Sequence, residues 1–282
     1  MLRLDNVEKT YPGFHLNCSL EVPEGCVTAL IGKNGAGKST AFKSILGLIF
    51  PESGRIEVFG KPADELTEKD REQIGAAFSN ANFSGYLSIK DMLPVMERLY
   101  STFRKEDFLK KCAKFELPLD KKIKDFSTGM RAKLNVLAAT SHNAKLLILD
   151  EPTAGLDVLA REEILDMLRE YMIPGGRSIL ISSHISSDLE GLCDDIYLIE
   201  QGSVIMHEET DVLLNEYGTL KVTEEQYKAL DQTYILCKKA EDYGYSLLTN
   251  QKQFYAENAP ELVMEKGTID NVITMMIKGE KA

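Results

Sequence analysis

The octapeptide Gly32-Lys33-Asn34-Gly35-Ala36-Gly37-Lys38-Ser39 stands between an uncharged, mostly apolar run and a stretch of helical spacing, and it restricts the fold of the whole chain. Before it, Val27-Thr28-Ala29-Leu30-Ile31 has the length and composition of a strand covered on both faces. After it, Phe42, Ile45, Leu46 and Ile49 recur at helical spacing, and Pro51 with Gly54 predicts where that helix stops. Strand, Gly-rich turn and helix in succession fit the pattern G-x-x-x-x-G-K-[ST]. Its glycines let several backbone N–H groups converge on one phosphate, the helix N-terminus adds positive potential, the lysine reaches the β- and γ-phosphates, and the hydroxyl reaches Mg²⁺. The expected nucleotide contacts are therefore Gly32, Lys33, Asn34, Gly35, Ala36, Gly37, Lys38, Ser39 and the adjoining Thr40, with Ser39 also a metal ligand.

A phosphate site of this kind needs an acid at the end of a buried strand to share the metal. The apolar residues 146–149 run straight into Asp150, and Glu151 follows at once, placed to orient and polarise an attacking water. Read alone, the two acids are as well explained as a strand end at the solvent; beside the phosphate loop they read as metal ligand and catalytic base. Strand-like runs return at residues 178–182 and 196–199. Helical segments carrying Ile164, Leu165, Leu168 and Tyr171, and then Leu189, Leu192 and Cys193, alternate with them, which implies a mainly parallel sheet with helices on its faces.

The remaining organisation follows from changes of period. Leu2, Leu4 and Val7, then Leu16, Cys18, Leu20 and Val22, space apolar residues for half-buried strands and predict an antiparallel β opening. Residues 90–142 switch to helical period, marking an inserted helical subdomain at about 80–145. After Tyr217-Gly218 the pattern becomes a short alternation, roughly β-α-β-α-β-α, ending in a helix over residues 269–278. The fold class is thus α/β: a P-loop NTPase core with a mainly parallel sheet, an N-terminal antiparallel β subdomain, the α-helical insertion, and a small C-terminal accessory segment. The expected domains are 1–218 and 219–282.

Composition narrows the function classes. A chain of 282 residues, 44% hydrophobic and 27% charged, is an ordinary globular protein with a substantial core. No apolar run approaches the roughly 18 residues that a membrane span needs, and nothing near Met1 resembles a signal peptide, so a cytosolic chain is expected. A formal charge of -11 disfavours nucleic-acid binding. The five cysteines, Cys18, Cys26, Cys112, Cys193 and Cys237, are odd in number and lack a C-x-x-C pair, and they read as reduced, mostly buried thiols.

Taken in order, several motifs of residues 2–218 resemble the ATPase subunits of ATP-binding cassette (ABC) transporters, of a bacterial exporter-like type. Pro152-Thr153-Ala154-Gly155-Leu156-Asp157 looks like that family's D-loop, which communicates between two ATP sites. His184, after a buried strand, matches its switch histidine, which implies a γ-phosphate contact beside Glu151. Phe126-Ser127-Thr128-Gly129-Met130 stands where the family carries L-S-G-G-Q; Ser127 and Gly129 keep a hydroxyl and a Cβ-free backbone at a helix N-terminus, whereas Thr128 and Met130 depart from the pattern. Ser127 also reads as an ordinary N-cap. Tyr11 sits where the family places an aromatic that stacks on adenine. Ile74-Gly75-Ala76-Ala77-Phe78-Ser79 aligns with a stretch that usually ends in a glutamine touching Mg²⁺, so Ser79 is the expected metal contact here, with Asn80 and Asn82 as alternatives.

The resemblance implies ATP and Mg²⁺ as cofactors and a head-to-tail dimer with a second ABC ATPase subunit. In that dimer, ATP held by Tyr11, Lys38 and Ser39 is closed over by Ser127 and Gly129 of the other subunit, with Asp157 near the same site. It also implies an integral membrane permease as a separate partner, docked near residues 80–145 with Phe83, Tyr86 and Leu87 as lining residues, and hence a chain peripheral on the inner face of the cell membrane. Two other readings stay open: a soluble ABC-type assembly ATPase, and a nucleotide-binding regulatory module. A P-loop kinase ranks behind them, since it needs neither the 126–130 motif nor Asp157.

Overall fold

The computed structural model describes residues 1–78, 83–183 and 187–281. The chain divides into two compact units, Met1–Met206 and His207–Ala282.

The main sheet has ten strands among the described residues. These are β1 (Leu2–Tyr11), β2 (Phe14–Val22), β3 (Val27–Ile31), β4 (Ser53–Val58), β5 (Lys61–Pro62), β6 (Ile74–Phe78), β7 (Leu146–Asp150), β8 (Ser178–Ser183), β9 (Asp195–Glu200) and β10 (Ser203–Glu209), in the order β5-β4-β1-β2-β10-β9-β3-β8-β7-β6. β3 lies parallel to both β9 and β8, β8 to β7, and β7 to β6. Every residue of β3, β7 and β8 is buried, as the apolar runs of β3 and β7 predict for strands covered on two faces; in β8 the burial extends to Ser178, Ser182 and Ser183. The antiparallel opening is also present: β1 pairs with β2 and with β4, and the tight Pro12-Gly13 turn sets Tyr11 directly opposite Phe14.

Helices cover this sheet. α1 (Lys38–Ile45) sends Phe42 and Ile45 into a core shared with Leu4, Leu16, Leu20 and Ile148. Full burial of a side chain such as Phe42 contributes roughly 1.5–3 kcal/mol. α1 stops at Leu46 and does not run on to Ile49 in spite of the helical spacing: Gly47 takes φ 69 and turns the chain, leaving Leu48 and Phe50 at 67% and 77% exposure. After the short α2 (Glu68–Arg71), the helical insertion comprises α3 (Ile89–Leu99), α4 (Lys105–Lys114) and α5 (Thr128–Thr140). α3 opens at a reciprocal capping box between Ser88 and Asp91. α5 packs on β6, on α4 and on α6 (Val158–Met172), which precedes β8; the four-residue α7 (Ser187–Glu190) follows β8. None of the five cysteines is in a disulfide; four are buried, Cys26 partly so, and burial raises the Cys18 thiol to about 12 and Cys112 and Cys237 to about 11.

The second unit carries α8 (Thr210–Glu216), β11 (Gly218–Val222), α9 (Glu224–Ala229), β12 (Ile235–Glu241), β13 (Gly244–Thr249), α10 (Lys252–Asn258), β14 (Val263–Lys266), α11 (Ile269–Lys278) and β15 (Glu280–Lys281). Its sheet order is β14-β11-β13-β12-β15. Leu220, Val222, Ile235, Leu247 and Tyr255 form its core. The simple β-α alternation expected here is interrupted, because β12 and β13 make a hairpin with no helix between them and β15 adds an edge strand.

Candidate active site

The loop between β3 and α1 is shaped by what its glycines allow. A Cβ on Gly32 would lie 2.3 Å from the Ile199 carbonyl oxygen, so the chain passes β9 only because no side chain is present. Gly37, the N-cap of α1, holds φ 118. The first bond of the helix runs from Ala41 N to Gly37 O at 3.0 Å, so the N–H groups of Lys38, Ser39 and Thr40 precede it and make the positive end of the helix. Lys38 is only 6% exposed; its Nζ donates to Gly32 O at 2.6 Å and to Lys33 O at 3.3 Å, and lies 3.4 Å from Glu151 Oε1.

Opposite this loop, the parallel register sets the last residue of β7 beside β8, pairing Asp150 with Ser182. Asp150 is buried at 5% exposure and accepts two hydroxyls at 2.7 Å, Ser39 Oγ on Oδ2 and Ser182 Oγ on Oδ1. Ser182 also accepts the N–H of Glu151 at 3.0 Å. Glu151 itself adopts φ 52, left-handed backbone that costs a non-glycine residue roughly 1–3 kcal/mol and persists only where neighbouring bonds over-determine it. The kink turns the chain at the strand end and leaves the Glu151 carboxylate beside Lys38.

Together these groups line a cleft of about 380 Å³: Lys33, Asn34, Gly35, Gly37 and Lys38 from the loop, Ser39 and Thr40 from α1, Asp150 and Glu151 from the end of β7, and Phe14 from β2. A buried ammonium, the opening turn of a helix and convergent loop backbone suit a polyphosphate. The Ser39 hydroxyl and Asp150 carboxylate set two hard oxygens 2.7 Å apart, a donor pair that fits Mg²⁺.

The other expected site residues lie elsewhere. Tyr11 is 38% exposed beneath the Lys9 ammonium, 6.0 Å from the ring centroid, while its cross-strand partner Phe14 lines the cleft. Ser127 caps α5, accepting Met130 N at 3.2 Å, and Gly129 is in the first turn of that helix, where an added Cβ would meet Ala160 Cβ at 3.3 Å. Asp157 caps α6, accepting Ala160 N at 2.9 Å. His184 and Ser79, with Asn80 and Asn82, lie outside the described residues. Two residues of the site escaped sequence reasoning: Phe14, which lines the cleft, and Ser182, buried behind Asp150 and Glu151. Ser182 had a usable signal: a hydroxyl pair, Ser182-Ser183, at the carboxyl end of an otherwise apolar buried strand.

Comparison with known proteins agrees with this geometry. The family described as ABC transporter matches residues 16–154, which span the loop and the acidic pair. The lantibiotic transport ATP-binding protein SrtF of Streptococcus pyogenes is 35% identical over 215 residues, covering 75% of this chain and 92% of that protein. This chain belongs to the ABC transporter family. A Nod factor export ATP-binding protein of Cupriavidus metallidurans is 33% identical over 213 residues, covering 73% of the ABC chain described here and 70% of its relative. Among solved structures, an ATP-binding subunit of an ABC transporter superposes with a TM-score of 0.67 at 28% identity, covering 75% of this chain and 91% of the other. As an ABC ATPase the chain binds and hydrolyses ATP.

Proposed function

We propose that this ABC ATPase hydrolyses Mg-ATP within a head-to-tail pair of cassettes and so drives export through a separate membrane permease. The observation that carries the reading is the convergence of two distant segments on one cleft: Ser39 Oγ on Asp150 Oδ2 at 2.7 Å, and Lys38 Nζ 3.4 Å from Glu151.

In this reading the loop backbone and the Lys38 ammonium bind the β- and γ-phosphates and stabilise the charge that builds on them. Ser39 and Asp150 would hold Mg²⁺, which would supply charge neutralisation at the phosphate oxygens, with Ser79 as a further residue assigned to the metal. Glu151 orients the attacking water and accepts its proton, with Ser182 fixing the backbone from which that carboxylate projects. His184 contacts the γ-phosphate. Phe14 and Tyr11, at the two sides of one hairpin turn, form the adenine wall. Ser127 and Gly129 close over the ATP of the partner cassette, and Asp157 links the two sites.

Export is supported by the relatives, named for lantibiotic transport and Nod factor export. Among the described residues no helix is long and apolar enough to cross a membrane. A permease as a distinct polypeptide, with this chain peripheral on the cytoplasmic face, follows from the same reading; Tyr86, 76% exposed beneath the Lys124 ammonium, is a docking residue.

The test is Glu151→Gln in the native host. The variant is expected to bind ATP without turning it over, to accumulate as a dimer, and to bring down a polytopic membrane protein from detergent-solubilised membranes. Undiminished turnover removes Glu151 as the base; recovery with soluble partners alone moves the chain to the class of cytosolic assembly ATPases.

A further inference from the structure

Thr153 and Asp188 are 1% and 2% exposed, and the Thr153 hydroxyl donates to Asp188 Oδ2 at 2.6 Å. The other carboxylate oxygen, Oδ1, takes the Nε of Arg161 at 3.2 Å. Asp188 belongs to α7, Thr153 to the turn that follows β7, and Arg161 to the first turns of α6, where its amide donates to the O of Asp157. One buried carboxylate thus ties together three segments that meet at the carboxyl ends of β7 and β8.

The tie matters because of what lies two residues before Thr153. Glu151 sits in left-handed backbone, which relaxes unless it is held from both sides. On its amino side it is held by Ser182, through Glu151 N to Ser182 Oγ and O at 3.0 and 3.2 Å. On its carboxyl side the bonds Ala154 N to Glu151 O and Leu156 N to Thr153 O stay within the turn, so they fix its shape but not its position against the sheet. The Thr153–Asp188 bond spans 35 residues and supplies that anchor.

We propose that Asp188 is a positioning residue for ATP hydrolysis: through Thr153 it clamps the turn behind Glu151 and thereby fixes the aim of the Glu151 carboxylate. This rests on the reading of Glu151 as the base. A displacement of about 1 Å at a reacting group costs on the order of a hundredfold in rate, so the clamp acts on turnover more than on nucleotide affinity.

The experiment uses the full chain. Thr153→Val removes the hydroxyl while keeping the shape of the side chain and the Arg161–Asp188 pair; Thr153→Ser keeps the hydroxyl. Steady-state ATPase kinetics and the affinity for a non-hydrolysable ATP analogue are measured well below the melting temperature of every variant. Thr153→Val is expected to lower kcat by about tenfold to a hundredfold, with KM and analogue affinity within about twofold, and Thr153→Ser to restore most of kcat. Asp188→Asn is expected to lose kcat similarly and to be non-additive with Thr153→Val; it also carries the test should Thr153→Val prove insoluble. Unchanged kcat with a lowered melting temperature, or a rise in KM alone, overturns the proposal. Glu151→Gln in the same assay separates the two ideas: if it keeps turnover, the base assignment falls, whereas if it abolishes turnover while Thr153→Val does not lower kcat, only the clamp falls.

Discussion

The Ser182 hydroxyl donates to Asp150 at 2.7 Å while it accepts the amide of Glu151, so a single buried serine braces both acids of the cleft. Replacing it with alanine takes a partner from a buried carboxylate and from a strained backbone at once. Ser182→Ala is expected to destabilise the main unit by about 1–3 kcal/mol and to slow ATP turnover, read by thermal melting and by steady-state kinetics.

Gly32→Ala meets a different obstacle. Its Cβ would stand 2.3 Å from the Ile199 carbonyl oxygen and 2.9 Å from Ile199 Cγ2, and a backbone atom in a central strand does not move aside. The loop must shift, at a cost of about 1–3 kcal/mol typical of overpacking. Equilibrium binding of labelled ATP is expected to weaken at least as much as the fold does.

A pH dependence follows from His142. Its ring is stacked on Tyr100 with centroids 3.8 Å apart, its nitrogens face the Ala138 and Ile74 carbonyls at 3.3 and 3.4 Å, and burial moves its pKa below the usual 6.5. The unfolded chain therefore takes up a proton more readily than the folded one. The stability contribution is complete above about pH 6.5 and falls as the pH drops below that value towards the lower folded pKa. The melting temperature is expected to decline as the pH falls below about 6.5, and His142→Gln to flatten that decline whatever its effect at neutral pH; an identical slope in the variant contradicts the assignment.

Truncation tests where the accessory unit begins. α8 packs against α11, and Tyr217 bonds Glu208 through its hydroxyl and receives Gly267 N–H on its carbonyl, all within the unit that starts at His207. A chain ending at Gly218 keeps α8 and Tyr217 but loses the elements that cover them, so it is expected to be more protease-sensitive at residues 207–218 than a chain ending at Met206 is at its own terminus. Limited proteolysis with mass mapping reads this directly.

What could be read ahead of the structure depended on the physics that fixes each element. Nearly continuous apolar runs identified β3 and β7 because burial on both faces favours apolar side chains at every position, and the loop and acidic pair then fell at their ends. The end of α1 was misplaced because Leu46 and Ile49 keep helical spacing while Gly47 quietly leaves the helical region. The β12–β13 hairpin turns at Asp242-Tyr243 ahead of Gly244, without the Asn-Gly or Asp-Gly pair that marks tight hairpins. Phe14 leaves no local pattern, because its place comes from a hairpin partner, whereas the Ser182-Ser183 pair does mark a strand end but gains its role only from the register that sets Ser182 beside Asp150.

The left-handed backbone at Glu151 also bears on how variants there are interpreted. Any residue placed at 151 inherits φ 52, which glutamine or asparagine accommodates and a β-branched side chain resists. A Val or Ile substitution would disturb the end of β7 and remove the carboxylate in one step, so inactivity in such a protein says nothing about acid–base chemistry. Glutamine isolates the chemistry, whereas glycine, which also lacks the carboxylate but relieves the strain, reports through the melting temperature what the left-handed backbone costs the fold.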